Sequence, residues 1–391
     1  MFRIVIVGGG LQGVEAVYLA HKAGWHVTLV DKHADCPASG MCDVFINAYV
    51  TNKDDFPLSS SEIDFMIPAL EDDAALAVLD SWTRDHAVPF AFDRGAYAIS
   101  SSKVKSGKLF SRLNIPIPEP WPRGEYPMIT KPSRSSGSKG IKIFTCPADM
   151  DGRILTSIAS ETFVMEEFLR GPSYSLEIIG CSGHYMPLQV TELFMDEVFD
   201  CKSVVAPAGL SQTFIDQFNE IAKHIAASLS LRGIMDIEVI LNEGKLKVLE
   251  IDARLPSQTP TAVYWSSGNN MLYFLRNIFL LDKLIFDEHD KQPGDVRGVV
   301  YQHIHVRPEL LEVAGEHLMS HAGPLHIRRD FFGADEAITN HREGADEWVA
   351  TLIISAADRT SALEKRDAIV AEIRDTFHLG TYIDKTPPML N

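Results

Sequence analysis

Met235-Asp236-Ile237-Glu238-Val239 and Val248-Leu249-Glu250-Ile251-Asp252-Ala253-Arg254 are the two stretches on which the reading of this chain turns. Both alternate apolar with acidic residues, and Asn242-Glu243-Gly244-Lys245 lies between them as a turn, so they read as a β-hairpin. A period of two puts Glu250 and Asp252 on one strand face. Glu238 lies across the hairpin, able to point the same way, while Ile237, Val239, Leu249 and Ile251 form the apolar face. Three carboxylates gathered between apolar strands repel one another and are costly to bury. A hard divalent cation removes that penalty, and an all-oxygen set suits Mg²⁺ on triphosphate oxygens. Arg254, one strand step further, suits a phosphate or a carboxylate. The plainer alternative is a solvent-exposed acidic hairpin.

Working outward, Lys103 opens an amphipathic helix over residues 103–113, which the run Ile-Pro-Ile-Pro-Glu-Pro-Trp-Pro at 115–122 ends. A strand over 128–131 finishes at Lys131, and a second follows at 141–144. The serine- and glycine-rich tract 133–140 is therefore expected at a hairpin tip. Ser135, Ser136, Gly137 and Ser138 there offer backbone and hydroxyl donors to phosphates, with Lys103 and Lys131 adding charge. Standing alone, such a tract is a mere linker. Val164 to Leu169, with Glu166, Glu167, Phe168 and Leu169 at its end, reads as an apolar strand that breaks into an exposed segment, offering backbone groups to an adenine edge or, equally, forming a strand edge with solvent-facing acids.

The N-terminus carries a competing signal. Gly8-Gly9-Gly10-Leu11-Gln12-Gly13 fits G-x-G-x-x-G after a strand at 3–7, opens a helix at 14–23, and has Asp31 ending the next strand. In isolation that is the dinucleotide fingerprint and points to NAD or FAD. A glycine turn at a helix N-terminus serves any anion, however, including a substrate carboxylate. Hydride transfer would also leave the acidic hairpin unexplained.

A chain of 391 residues is too long for one core. The βαβ rhythm up to residue 97 predicts a parallel, doubly wound unit. Residues 98–290 read as an α+β body with strands at 163–167, 174–180 and 185–190 and a helix at 214–228, and residues 291–391 as a smaller C-terminal unit. His303 and His305 alternate on one strand and, without a third ligand, read as structural or pocket-lining. The net charge of −17 disfavours a nucleic-acid partner. No apolar run approaches membrane-span length, and no signal-peptide pattern opens the chain. Five scattered cysteines read as reduced thiols, so a cytoplasmic location is expected.

The ordered series of Lys103, Lys131, the 133–140 loop, the Glu-Glu-Phe-Leu segment, Glu238, and Glu250 to Arg254 resembles the ATP-grasp superfamily of carboxylate–amine ligases. The resemblance implies a Rossmann-like pre-grasp domain, a central clamp of two subdomains closing on ATP, and a C-terminal α/β unit. It implies Mg²⁺ on Glu238, Glu250 and Asp252, and nucleotide contacts from Lys103, Lys131, residues 135–138 and residues 166–169. Lys131 and Arg254 take catalytic roles. Leu11, Gln12, Glu71 or Asp72, Arg254 and Ser257 are implied as substrate contacts. Many members carry a ribose-binding glutamate two residues after the glycine of E-x-x-x-G. Here Ser173 follows Gly171 at that spacing, with Ser173, Tyr174 and Ser175 as substitutes. Within the superfamily the chain is most similar to the ligases of pyrrolysine biosynthesis. That similarity implies activation of 3-methyl-D-ornithine or D-ornithine as an acyl phosphate and its attack by the ε-amine of L-lysine. Assembly as a homodimer is left open. Other ligases or carboxylases of the superfamily, an ATP-binding sensor, and an NAD-dependent oxidoreductase are the competing readings.

Overall fold

A computed structural model of the protein describes residues 1–52, 56–135, 137–284 and 296–387. The N-terminal strands form a four-stranded parallel sheet in the order Val44–Asn47, His26–Asp31, Arg3–Val7, Phe65–Pro68. Helix Leu11–Lys22 covers one face because Ala16, Val17, Leu19 and Ala20 bury fully against Ile4, Ile6 and Leu29. Asp73–Asp85 covers the other face, with Leu79 and Trp82 on Val5 and Met66. Asp72 caps that second helix, accepting from the Ala74 and Ala75 N–H groups at 3.0 Å.

Most of the remaining strands join one long antiparallel sheet. Its order is Lys245–Asp252, Gly233–Asn242, Ser173–Cys181, Thr191–Met195, Cys201–Ala206, Gly298–Arg307, Trp348–Ala356, Ala334–Thr339, His326–Phe331. The sheet thus runs unbroken into the C-terminal part, where Ser203 pairs with Gln302 and Val205 with Val300. The boundary expected between residues 290 and 291 lies outside the described residues. Beyond the sheet stands a small flap, Lys142–Phe144, Met128–Pro132 and Phe163–Glu167, with its own core of Met128, Phe144 and Met165. The 133–140 tract sits at its hairpin tip.

Strands Thr191–Met195 and Cys201–Ala206 are not legible as such, because Glu192 and a bulge at Phe194 and Met195 break the alternation. Helices Thr259–Ser267 and Met271–Leu281 also escape pattern reading. They bury between the N-terminal helix and the long sheet, so apolar residues surround them on most sides. One expectation within the hairpin needs correcting. The register skips a residue, pairing Glu238 with Glu250 but Val239 with Val248. Leu249 is the extra, bulged residue, so it leaves the apolar face and lines the cavity beside Glu250.

Candidate active site

Direct cross-strand partners share a face, so the register gathers the acids. Asp236 lies opposite Asp252, Glu238 opposite Glu250, and on the other flank Asp236 faces Glu177 and Glu238 faces Ser175. The three expected carboxylates are therefore joined by two that sequence reading missed. Asp236, two residues before Glu238, was detectable by the same period-two rule; Glu177 became a neighbour only through strand pairing. Asp236 accepts from the Ser175 hydroxyl.

Two adjoining cavities, of about 630 and 520 Å³, share Glu238 and Glu250 in their walls. Burial, with Glu250 and Asp236 close by, holds the Glu238 carboxyl far above its ordinary range. Asp236 is raised likewise, by burial and then by Glu177. Burial also pushes Asp252 up to about 6, partly offset by Arg254. Glu250 is the exception: burial would raise it, yet Lys103 and Lys131 outweigh burial and hold it low. The Lys103 Nζ lies 2.6 Å from Glu250 Oε2 and donates to the Ser135 carbonyl at 3.0 Å. Lys131, half-buried, pairs with Glu166 at 2.8 Å, and that carboxylate with Glu250 raises its ammonium pKa despite desolvation.

The larger cavity runs under the flap. Lys103, Lys131, Ser135, Gly137, Ser138, Glu166, Glu167, Phe168, Leu169 and Ser173, the described residues brought together from the expected nucleotide set, line it. Ser136 lies outside the described residues. Tyr174 points instead into the core behind the sheet, with Leu176 and Val239, and Ser175 is spent on Asp236. Glu167 is engaged by Lys247. The N–H groups of Glu167 and Phe168 donate to the carbonyls of Glu119 and Pro127. The Leu169 N–H has no partner among the described residues and borders the cavity. The flap tip is tied down twice, by Arg134 to Asp73 at 2.5 Å and by the Ser138 hydroxyl to the Phe199 carbonyl at 2.5 Å.

The smaller cavity is walled by Leu11, Gln12, Glu71, Arg254 and Ser257, all expected, and by Asp200, Gln258 and Glu316, which were not. Asp72 is absent from the wall, being the helix cap described above. Arg254 is held by Glu71 at 2.6 Å and by Asp252, while its Nη1 is buried without a partner. Asp196, Asp200 and His317 bring ligand atoms within 4.8 Å of one another. Their carboxylates, however, accept N–H groups of Val198, Asp200, Gly315 and His317, which makes the trio a structural knot. His303, buried on Thr351, and His305, beside Glu347, line neither cavity.

The glycine turn is not arranged for a dinucleotide. Asp31 is consumed by the N–H groups of Gly9 at 2.6 Å and His33 at 2.7 Å. A Cβ on Gly8 (φ +109°) would lie 2.2 Å from the Ala69 carbonyl oxygen, and one on Gly9 2.2 Å from Cys36 Sγ. These glycines serve close packing, and Gly10 alone of the three opens on the smaller cavity.

The sequence model of the ATP-grasp domain matches residues 100–258. The 3-methyl-D-ornithine–L-lysine ligase of Methanosarcina acetivorans is 32% identical over 380 residues, spanning 96% of this chain and 99% of that protein. The chain belongs to the ATP-grasp family of carboxylate–amine ligases. The corresponding ligase of Methanosarcina barkeri is 37% identical over 281 residues, covering 71% of this ligase and 74% of its relative. Among solved structures, biotin carboxylase from Campylobacter jejuni superposes with a TM-score of 0.70 at 15% identity, over 96% of this chain and 94% of that one. This likeness shows the fold. The protein is thus an ATP-dependent, amide-bond-forming ligase. Among the described residues no helix is long and apolar enough to cross a membrane.

Proposed function

We propose that this ligase activates the carboxylate of D-ornithine or 3-methyl-D-ornithine with ATP and joins it to the ε-amine of L-lysine. The observation that carries the reading is the acidic strand face, flanked by Lys103, Lys131 and Arg254, where the two cavities meet. The residues fit Mg²⁺: they supply hard oxygen donors, and without a cation burial and mutual repulsion raise Asp236 and Glu238 well above the ordinary carboxylate range. Glu238, Glu250 and Asp252 would hold the ion. When bound, it neutralises charge on the transferring phosphoryl group.

The chain's own residues do the rest. Lys103 and Lys131 sit where phosphates would approach Glu250, and each lysine exchanges a carboxylate partner for phosphate oxygens. The free Leu169 N–H suits an adenine ring nitrogen, and Ser173 takes the ribose side. Leu249, bulged into the cavity, supplies an apolar floor for the base. Across the acidic face, Arg254 Nη1 is positioned for the substrate carboxylate. A carboxylate resists attack because its charge repels nucleophiles and oxide leaves poorly, and phosphorylation removes both obstacles. The activated acid also hydrolyses readily, so the flap tip, tied to Asp73 and Phe199, shuts out water until the amine arrives.

The substrate assignment is supported by the near-complete alignment with the Methanosarcina acetivorans ligase. The acid-rich smaller cavity also suits amine-bearing substrates. We take residues 1–97, 98–290 and 291–391 as its three units. Five free thiols favour a cytoplasmic enzyme. The test is phosphate release from ATP with D-ornithine, with and without L-lysine, followed by product mass. A lysine-dependent product weighing both amino acids less one water is expected. Phosphate release indifferent to both amino acids refutes the assignment.

A further inference from the structure

The smaller cavity has two chemically opposite ends. At one, Arg254 presents a buried donor, and at the other Gln258 presents a buried acceptor, each without a partner among the described residues. Glu316, from the C-terminal part of the chain, accepts at Oε2 from the Ser257 hydroxyl at 2.8 Å and from Gln258 Nε2 at 2.7 Å. Gln258 is only 6% exposed, and having spent its amide N–H on Glu316 it leaves Oε1 buried without a partner on the cavity wall. Glu316 Oε1 likewise receives no donor among the described residues. The N–H and Nδ1 of His317 both face Asp200, and the Gly315 N–H faces Asp196, so these donors are spent away from Glu316.

A buried acceptor left unpaired is costly, so Gln258 Oε1 calls for a ligand bearing an N–H group, and the Glu316 carboxylate hydrogen-bonded to the same side chain favours a cationic one. The net charge of this end is negative, and burial together with Asp200 raises Glu316 above its ordinary carboxylate range. A cation relieves both. None of Ser257, Gln258, Glu316 and His317 borders the nucleotide cavity. An amino acid entering on the side away from the nucleotide would set its reactive amine at the Arg254 end and its remainder toward Glu316.

We propose that Glu316 and Gln258 receive the non-reacting α-ammonium of the attacking amino acid and so set its identity. The inference rests on the lysine reading above and adds the residues that select lysine. They act as specificity residues and take no part in phosphoryl transfer.

The experiment compares L-lysine with 6-aminohexanoate, which keeps the ε-amine and the carboxylate but lacks the α-ammonium. ADP release is followed at saturating ATP and D-ornithine. Wild-type enzyme is expected to favour lysine on the order of 100-fold in kcat/KM, because the analogue leaves Gln258 Oε1 without a donor and the Glu316 carboxylate without a cation. Glu316→Gln keeps acceptors for Ser257 and Gln258 but loses the charge. The preference should then shrink to below about tenfold through a higher KM for lysine, with kcat and the KM for ATP and D-ornithine retained. Wild-type enzyme that uses 6-aminohexanoate as well as lysine overturns the inference, and this comparison holds even where the variant loses stability. A folded Glu316→Gln enzyme that keeps the full preference overturns it too. Wild-type enzyme with no lysine-dependent ADP release overturns the lysine reading itself, and the selective role with it.

Discussion

Asp252→Asn should make the metal-free protein more stable while weakening what MgATP adds. The Asp252 carboxyl is pushed from 3.8 up to about 6, chiefly by burial, and its side chain is 28% exposed. A folded-state value above the unfolded one means this group stabilises fully below about pH 4. That contribution drains away as pH rises through 6. The rise is about 2 pH units, each worth about 1.4 kcal/mol, so ionised Asp252 costs the fold about 3 kcal/mol at pH 8. Asparagine keeps the shape and avoids the charge, and Arg254 retains Glu71 as partner. In EDTA the variant should therefore melt about 3–5 °C above wild type at pH 8. At pH 4 the two should melt within about 2 °C of each other. With MgATP at pH 8 the order should narrow or reverse, because cation binding offsets the repulsion that the variant never had. Differential scanning calorimetry with and without MgATP at both pH values reads all of this. A variant less stable than wild type at pH 8 in EDTA would show that the Arg254 pairing outweighs burial, and the reasoning would fail.

Other outcomes are expected from single sites. Lys131→Ala removes a charge-assisted phosphate contact and strands Glu166, so the nucleotide dissociation constant should rise about 10–100-fold by isothermal titration. An unchanged constant would exclude Lys131 from the nucleotide site. The flap tip at 133–140 should become resistant to limited proteolysis with MgATP, and Asp73→Ala, which removes the Arg134 tie, should raise cleavage without nucleotide. Equal cleavage in all conditions would deny it a covering role. His303 is held down to about 3 by burial and then by His317, so it stays neutral in the fold while the unfolded chain takes up a proton below pH 6.5. Stability is thus complete above pH 6.5 and falls by about 1.4 kcal/mol per pH unit on acidification. His303→Gln should flatten that limb in urea titrations between pH 6.5 and 4.5, and an unaltered slope would contradict the assignment.

The hairpin was readable because strand periodicity is strict. Alternation alone places Glu250 with Asp252, and the same rule extends to Asp236. The bulge at Leu249 was not readable, since one extra residue in a strand leaves no compositional trace. The residues lining the larger cavity lie close together in sequence, on a hairpin and a strand edge, and local pattern exposes them. Glu177 and Glu316 join the site only through long-range pairing and packing, which nothing in their own neighbourhoods announces. Asp72 reads as a pocket acid next to Glu71, yet a helix start one residue on claims it as a cap. Helices Thr259–Ser267 and Met271–Leu281 were missed for a related reason: burial on most sides erases the amphipathic signature.

The small flap has its own three-stranded sheet and its own core, whereas the strands bearing the acids are hydrogen-bonded into the long sheet that continues into the C-terminal part. Arg254, Gln258 and Glu316 ride with that larger body. Swinging the flap outward would therefore open the Gly137, Ser138 and Lys139 side of the smaller cavity while the Arg254, Gln258 and Glu316 side stays in place. Selection at Gln258 and Glu316 would then rest on masonry that holds still while the opposite wall opens.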